Sequence, residues 1–207
     1  MCSSHCQDIV YLNARGFEGP PSLTRGAAPR ARNQYLYEPQ ALEAQTLGSA
    51  RALLIHAHID QRQLTAHRAA LEDWLLGGGT LVFNGHVAYP FLRWLQPFVP
   101  QTHPGLDGLR IERAADHPIF EGVQAETLTF RRGVAGFYSR GSNPPPAEGA
   151  RVLNTVGPNR MPVDWVLGLP GGGRMLVHSG NDIWSFTHDS AARLLPQLLD
   201  WIDSKEV

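Results

Sequence analysis

The apolar positions from Ala50 to Pro90 fall into a strand, a helix and a second strand, and both strands run out into polar, histidine-bearing turns. Ala52 to Ile55 is a short continuous apolar run, the pattern of a parallel strand buried on both faces. It opens into His56, His58 and Asp60. Leu71, Trp74 and Leu75 then make one helical stripe, with Thr65 as the expected N-cap and Gly77 as the stop. Thr80 to Phe83 repeats the apolar run and breaks at Asn84, Gly85 and His86. Strand, helix and strand at this spacing predict a right-handed βαβ unit.

The same pattern read along the rest of the chain predicts a first strand at Ile9 to Leu12, after a flexible leader at 1–7. A long loop rich in Gly, Pro and Arg follows from Asn13 to Asn33. Glu38 to Leu47 reads as a helix with Pro39 in its first turn and Gly48 at its end. Val87 to Gln96 reads as a short helix turning Phe91, Leu92 and Leu95 inward, after which Pro97, Pro100 and Pro104 force an irregular connection. Strands are expected at Leu109 to Arg113, Glu126 to Tyr138, Arg151 to Val156, Val163 to Leu167 and Arg174 to His178, with Gly141 to Gly149 as a surface loop. Ser190 opens a terminal amphipathic helix through Leu194, Leu198, Leu199, Trp201 and Ile202, kinked at Pro196.

Strand and helix alternate in the first half, and strands then close onto a final helix. This predicts a single α/β domain over 1–207, a three-layer α/β/α sandwich of flavodoxin-like type whose mostly parallel sheet carries antiparallel additions. Such sheets bind ligands outside the carboxyl ends of their strands. Four strand ends carry polar groups: Asn13 and Arg15; His56, His58 and Asp60; Asn84 and His86; His178, Asn181 and Asp182. In one cleft, His86 and His178 are the candidate catalytic groups, with imidazoles suited to acid–base work near neutral pH. Asn13, Arg15, Asn84, Asn181 and Asp182 are candidate ligand contacts, and Tyr89 or Trp184 could stack on a sugar face. The bland alternative is that Asn84-Gly85-His86 is a turn satisfying its own backbone donors.

With 43% hydrophobic and 18% charged residues over 207 positions, the chain has the composition of a globular domain with a sizeable core. A formal charge of −1 provides no field to draw it to nucleic acid or acidic membranes, and no apolar run is long enough to span a bilayer. A cytoplasmic location is the default expectation. Cys2 and Cys6 are too close to each other and to the terminus to build a disulfide framework. Arg15, Arg25, Arg30 and Arg32 could clamp an anion or simply be solvated, and Phe17, Phe91, Trp94 and Phe98 could form a homodimer face.

The helix TAHRAALEDWLLGGG, the strand TLVFNGH, the HPIFEGV segment at His117 to Val123 and the late GGGRMLVHSGND strand before ARLLPQLLDWI resemble the class I glutamine amidotransferase-like superfamily, nearest its ThuA-like (trehalose-utilisation) branch. That resemblance implies a cysteine on a glycine-flanked elbow after the strand, activated by a histidine from a later strand. Here the elbow reads Phe83-Asn84-Gly85-His86-Val87, without cysteine or serine. Thiolate amidotransferase chemistry is therefore not expected. What remains is binding of a small polar molecule such as a carbohydrate, with no cofactor.

A competing reading starts from His56, His58 and Asp60. Two imidazoles and a carboxylate at alternate positions can offer ligands to zinc or iron. The string LLIHAHIDQ resembles the metal-binding turn of metallo-β-lactamase-fold hydrolases, although that pattern continues with histidine where this chain has Gln61. A metal-dependent hydrolase completed by His86 or His178 is thus the second function class.

Overall fold

In a computed structural model of the chain, residues 8–14, 20–24 and 30–204 are described. Arg15, Phe17, Arg25, Cys2 and Cys6 lie outside them. Eight strands form one mixed sheet: β1 (Asp8–Asn13), β2 (Arg32–Tyr35), β3 (Ala50–Ile55), β4 (Thr80–Asn84), β5 (Ile111–Arg113), β6 (Ala150–Val156), β7 (Met161–Gly168) and β8 (Arg174–His178). Their order across the sheet is β2-β1-β3-β4-β8-β7-β6-β5. The pairings from β2 to β8 are parallel, and those from β8 through β7 and β6 to β5 are antiparallel. This is the expected α/β sheet, mostly parallel with antiparallel additions.

Two apolar cores form because successive side chains of a buried strand point to opposite faces. On one face Leu53, Ile55, Leu81 and Phe83 pack against Leu47 of α1 (Ala44–Ser49), Leu64 of α2 (Gln61–Ala66) and Leu71 and Leu75 of α3 (Arg68–Leu76). On the other, Leu54, Val82 and Leu176 pack against Leu128 of α4 (Ala125–Thr129) and against Leu194, Leu198 and Trp201 of α5 (Leu194–Asp203). Arg174 at the start of β8 is buried under α5. Its guanidinium donates to the carbonyls of Trp201, Ile202 and Ser204 and lies over the Trp201 ring, so it satisfies orphan carbonyls at the helix end.

Several expected elements differ. The helix between β3 and β4 starts at Gln61 rather than Thr65, because Asp60 is its N-cap: Oδ1 accepts from the Arg62 and Gln63 N–H groups. Thr65 instead donates back to the Gln61 carbonyl. Of the expected 38–47 helix only 44–47 is helical, and the helix, Ala44–Ser49, runs on through Gly48 instead of ending there. Residues 87–96 form no helix, although Phe91, Leu92 and Leu95 are buried as expected. Their peptides are held from outside: Gln61 Oε1 accepts from Ala88 and Tyr89 N–H, and Glu72 accepts from Arg93 N–H. The expected strand from Glu126 to Tyr138 is helix α4 followed by a two-residue hairpin pair, Phe130–Arg131 with Val134–Ala135. The loop from 13 to 33 contains the helical turn Pro21–Thr24 and the start of β2. Pro196 falls in the first turn of α5, where its missing N–H has no intrahelical partner to lose. Among the described residues no helix is long and apolar enough to cross a membrane.

Candidate functional site

Each central strand is apolar until its last inward-facing residue on one side of the sheet. Leu54 is followed two positions later by His56, Val82 by Asn84 and Leu176 by His178. The register aligns these positions: His178 stands beside Asn84 and opposite Asp164, and Asp164 stands opposite Asn154. A polar row therefore crosses the carboxyl ends of the parallel strands, with His56, Asn84, Asn154, Asp164 and His178 all buried. Burying such groups is costly unless each is hydrogen-bonded.

Asp164 is the hub of that row. Its Oδ1 lies 2.6 Å from His178 Nδ1, and its Oδ2 accepts from Tyr138 Oη at 2.8 Å and from Asn154 Nδ2 at 2.6 Å. Burial first, then Asp164, pushes the Tyr138 phenol well above its ordinary range, so it stays protonated and donating. In the neutral ring, donation of Nδ1–H to the carboxylate leaves Nε2 as the nitrogen without a proton. That nitrogen is buried and has no hydrogen-bond partner among the described residues. It lies against Gly180, where an added Cβ would come within 2.9 Å of it.

In front of this row a cavity of about 330 Å³ is lined by His58, His86, Phe137, Ser139, Arg140 and Asn181, with Gly85 and Gly180 in its walls. Asn181 Nδ2 donates to the Phe137 carbonyl and Ser139 Oγ to the Ser179 carbonyl, which ties the two sides of the wall together. The His86 ring stacks on Phe98, with centroids 3.6 Å apart. Its pKa is lowered, first by burial and then by the neighbouring His178 and His58, so the neutral base is favoured. Asp182 sits behind His58, accepting from the Ala57 N–H at 2.7 Å; burial raises its pKa against that bond and the nearby histidines.

The elbow after β4 keeps a bent backbone but has no space for a nucleophile. Gly85 has φ of 105°, and a Cβ there would lie 2.5 Å from the Ala57 carbonyl oxygen. Asn143 holds the turn: its Nδ2 donates to the Gly85 carbonyl at 2.7 Å, and its Oδ1 accepts from the Val87 N–H at 2.9 Å. The two bonds straddle His86. Asn143 is in turn fixed by Ser179 Oγ and Trp165 Nε1.

The structure brings His58, His86 and Asn181 together around the cavity, with His178 directly behind. Other nominated residues serve elsewhere. Asn84 is fully buried, donating to the Ile55 carbonyl and accepting from the Ile183 N–H, so its side chain stitches β3 to the segment after β8. Asn13 donates to Asn33 Oδ1 at 2.6 Å. Trp184 is buried edge-on to Tyr11. Tyr89 is exposed against Arg62, beside a separate depression that also includes Asp60. His56 has Nε2 3.3 Å from the Ala14 N–H and Nδ1 3.1 Å from the His58 N–H, and its neutral ring accepts through one of the two nitrogens. Asp60 caps α2 and accepts from Tyr37 Oη. Among the described residues no three His, Cys, Asp or Glu side chains are gathered as metal ligands. Arg30 pairs with Asp203 and Arg32 with Asp8.

Sequence reasoning missed Asp164, Tyr138, Asn154, Asn143, Arg140 and Phe137. Asp164 did carry a signal, since an acid inside the apolar run Met161–Gly168 demands a buried partner. Asn143 carried none.

No protein-family model and no curated protein matches the chain. Among solved structures, the mmIFT52 N-terminal domain shares the fold with a TM-score of 0.54 and 9% identity, over 86% of each chain. A ThuA-like protein from Bacteroides uniformis aligns with 15% identity and a TM-score of 0.49, over 85% of this chain and 78% of that one.

Proposed function

We propose that this protein binds a small polar molecule, a carbohydrate in the first instance, in the strand-end cavity, on an amidotransferase-like scaffold that has given up thiolate chemistry. The observation carrying this reading is the convergence of His58, His86, Arg140 and Asn181 on one cavity backed by the His178–Asp164 pair. Its volume is at the small end of the range for ligand sites. Polar donors on several sides suit a hydroxyl-rich ligand, and Phe137, 42% exposed at the rim, offers an aromatic surface of the kind Trp184 and Tyr89 were expected to supply. His178 Nε2 is buried behind Gly180 and is not part of the lining, so the proposed ligand contacts are those of His58, His86, Arg140 and Asn181.

The test is calorimetric titration with a panel of monosaccharides and polyols. His86→Ala and Asn181→Ala should each weaken binding about fivefold or more while shifting Tm by only a few degrees. Absence of binding across the panel would overturn the carbohydrate reading. A large fall in Tm with unchanged affinity would make His86 a structural residue.

A further inference from the structure

A second cavity, of about 790 Å³, opens beside the far edge of the sheet, where β5 and β6 meet the segment after Ala115. Arg113, Arg151, His117, Phe120, Asp116 and Glu121 line it. Arg113 is half-buried, yet among the described residues no carboxylate lies within ion-pair distance of it. Its guanidinium donates to Asn154 Oδ1 and to the Val123 carbonyl, both neutral, and its flat face covers Phe120 at 4.5 Å. Arg151, on the exposed side of β6, has no hydrogen-bond or ion-pair partner among the described residues. Asp164 and Asp116 act on Arg113 at longer range, so among the described residues the cation left free in this concavity is Arg151, and its guanidinium is the place for a negative charge.

Buried His117 stands beside the same cations. Its Nδ1 accepts from the Ile119 N–H, and its pKa is lowered to about 4 by burial and then by Arg151, Arg174 and Arg113. It adds no cation of its own near neutral pH. Pro118 is exposed beside the buried Phe120 and Val123, which gives the base next to the guanidinium groups an apolar strip. The acids Asp116 and Glu121 set a limit on the opposite sign: they oppose a multiply charged ligand but leave room for one negative group.

We infer that this cavity is a second ligand site, separate from the strand-end cleft, for a small monoanion with a flat apolar body, of the aryl carboxylate class. The carboxylate engages the Arg151 fork, and the ring lies along the Pro118, Phe120 and Val123 wall.

Calorimetric titration with benzoate at low salt tests this on the intact protein, against two controls: benzamide, which keeps the ring without the charge, and inorganic phosphate, which keeps charge without the ring. Benzoate should bind at least about fivefold more tightly than either control. Arg151→Gln should abolish that preference, and His86→Ala should leave benzoate affinity unchanged. No benzoate binding, equal binding of benzamide or phosphate, or an unaffected Arg151→Gln variant would each overturn the proposal. Loss of benzoate binding in His86→Ala would assign the anion to the strand-end cleft and overturn it equally.

Discussion

His178 Nδ1 and Asp164 Oδ1 meet at 2.6 Å with both side chains fully buried, at positions directly opposed across β7 and β8. The antiparallel register makes this contact, and the Tyr138 and Asn154 donors complete the shell around the carboxylate. Asp164→Asn keeps the volume but puts an amide NH₂ where an acceptor is required, and should cost about 1–3 kcal/mol. Asp164→Ala leaves the His178, Tyr138 and Asn154 donors without their acceptor and should cost more, about 3–5 kcal/mol. Urea denaturation measures both. Imidazole nitrogen NMR of the unmodified protein should find the proton on His178 Nδ1, and a proton on Nε2 in the neutral ring would contradict the assigned geometry.

Gly85 should tolerate no side chain. The Cβ of Gly85→Ala would sit 2.5 Å from the Ala57 carbonyl oxygen in a backbone conformation with φ of 105°. Strain and overpacking together should lower stability by about 2–4 kcal/mol, seen in the denaturation midpoint. Gly85→Cys should be destabilised similarly and show no glutaminase activity, and a stable Gly85→Cys protein that hydrolyses glutamine would refute this account of the elbow.

Asn143 bridges the peptides on either side of His86 from a loop more than fifty residues away in sequence. Asn143→Ala removes two buried side-chain bonds and leaves the Gly85 carbonyl and Val87 N–H to find other partners, a loss of about 2–3 kcal/mol. Because the turn carrying His86 is then unsupported, cavity ligands should bind more weakly even at temperatures where the variant is folded. Unchanged affinity in a folded Asn143→Ala protein would show that the turn holds itself.

The lowered pKa of His117 gives stability a pH dependence of definite sign. Its folded value of about 4 lies below the ordinary 6.5, so the unfolded chain binds the extra proton first. The stabilisation from keeping this ring neutral is fully present above pH 6.5 and is lost as pH falls from there toward 4. Allowing for solvent in the adjoining cavity, the effect should be on the order of 1–2 kcal/mol. His117→Asn can still accept from the Ile119 N–H, but it does not titrate. Urea melts at pH 7 and pH 5 should show a smaller loss in that variant than in the unmodified protein, and equal losses would show that other groups carry the acid sensitivity.

Local pattern alone determined the strands Ala52 to Ile55, Thr80 to Phe83 and Arg174 to His178, because burial on both faces leaves uninterrupted apolar runs. It also located the histidines at their ends, since a polar residue after such a run marks where the strand leaves the core. It failed at residues 87–96, where apolar spacing suggested a helix. Side chains of Gln61 and Glu72 supply the backbone's partners there, and helical periodicity cannot register a bond made from another element. What the histidines do was decided by tertiary structure. His56, His58 and Asp60 look like one group at alternate positions, yet Asp60 turns to cap α2. His178 acquires its chemistry from Asp164 on the neighbouring strand, Tyr138 from an irregular segment and Asn154 from a third strand. Hydrogen-bond partners are set by distance in space: the register of the sheet aligns Asn154, Asp164 and His178, and the path of the segment before Ser139 brings Tyr138 onto them.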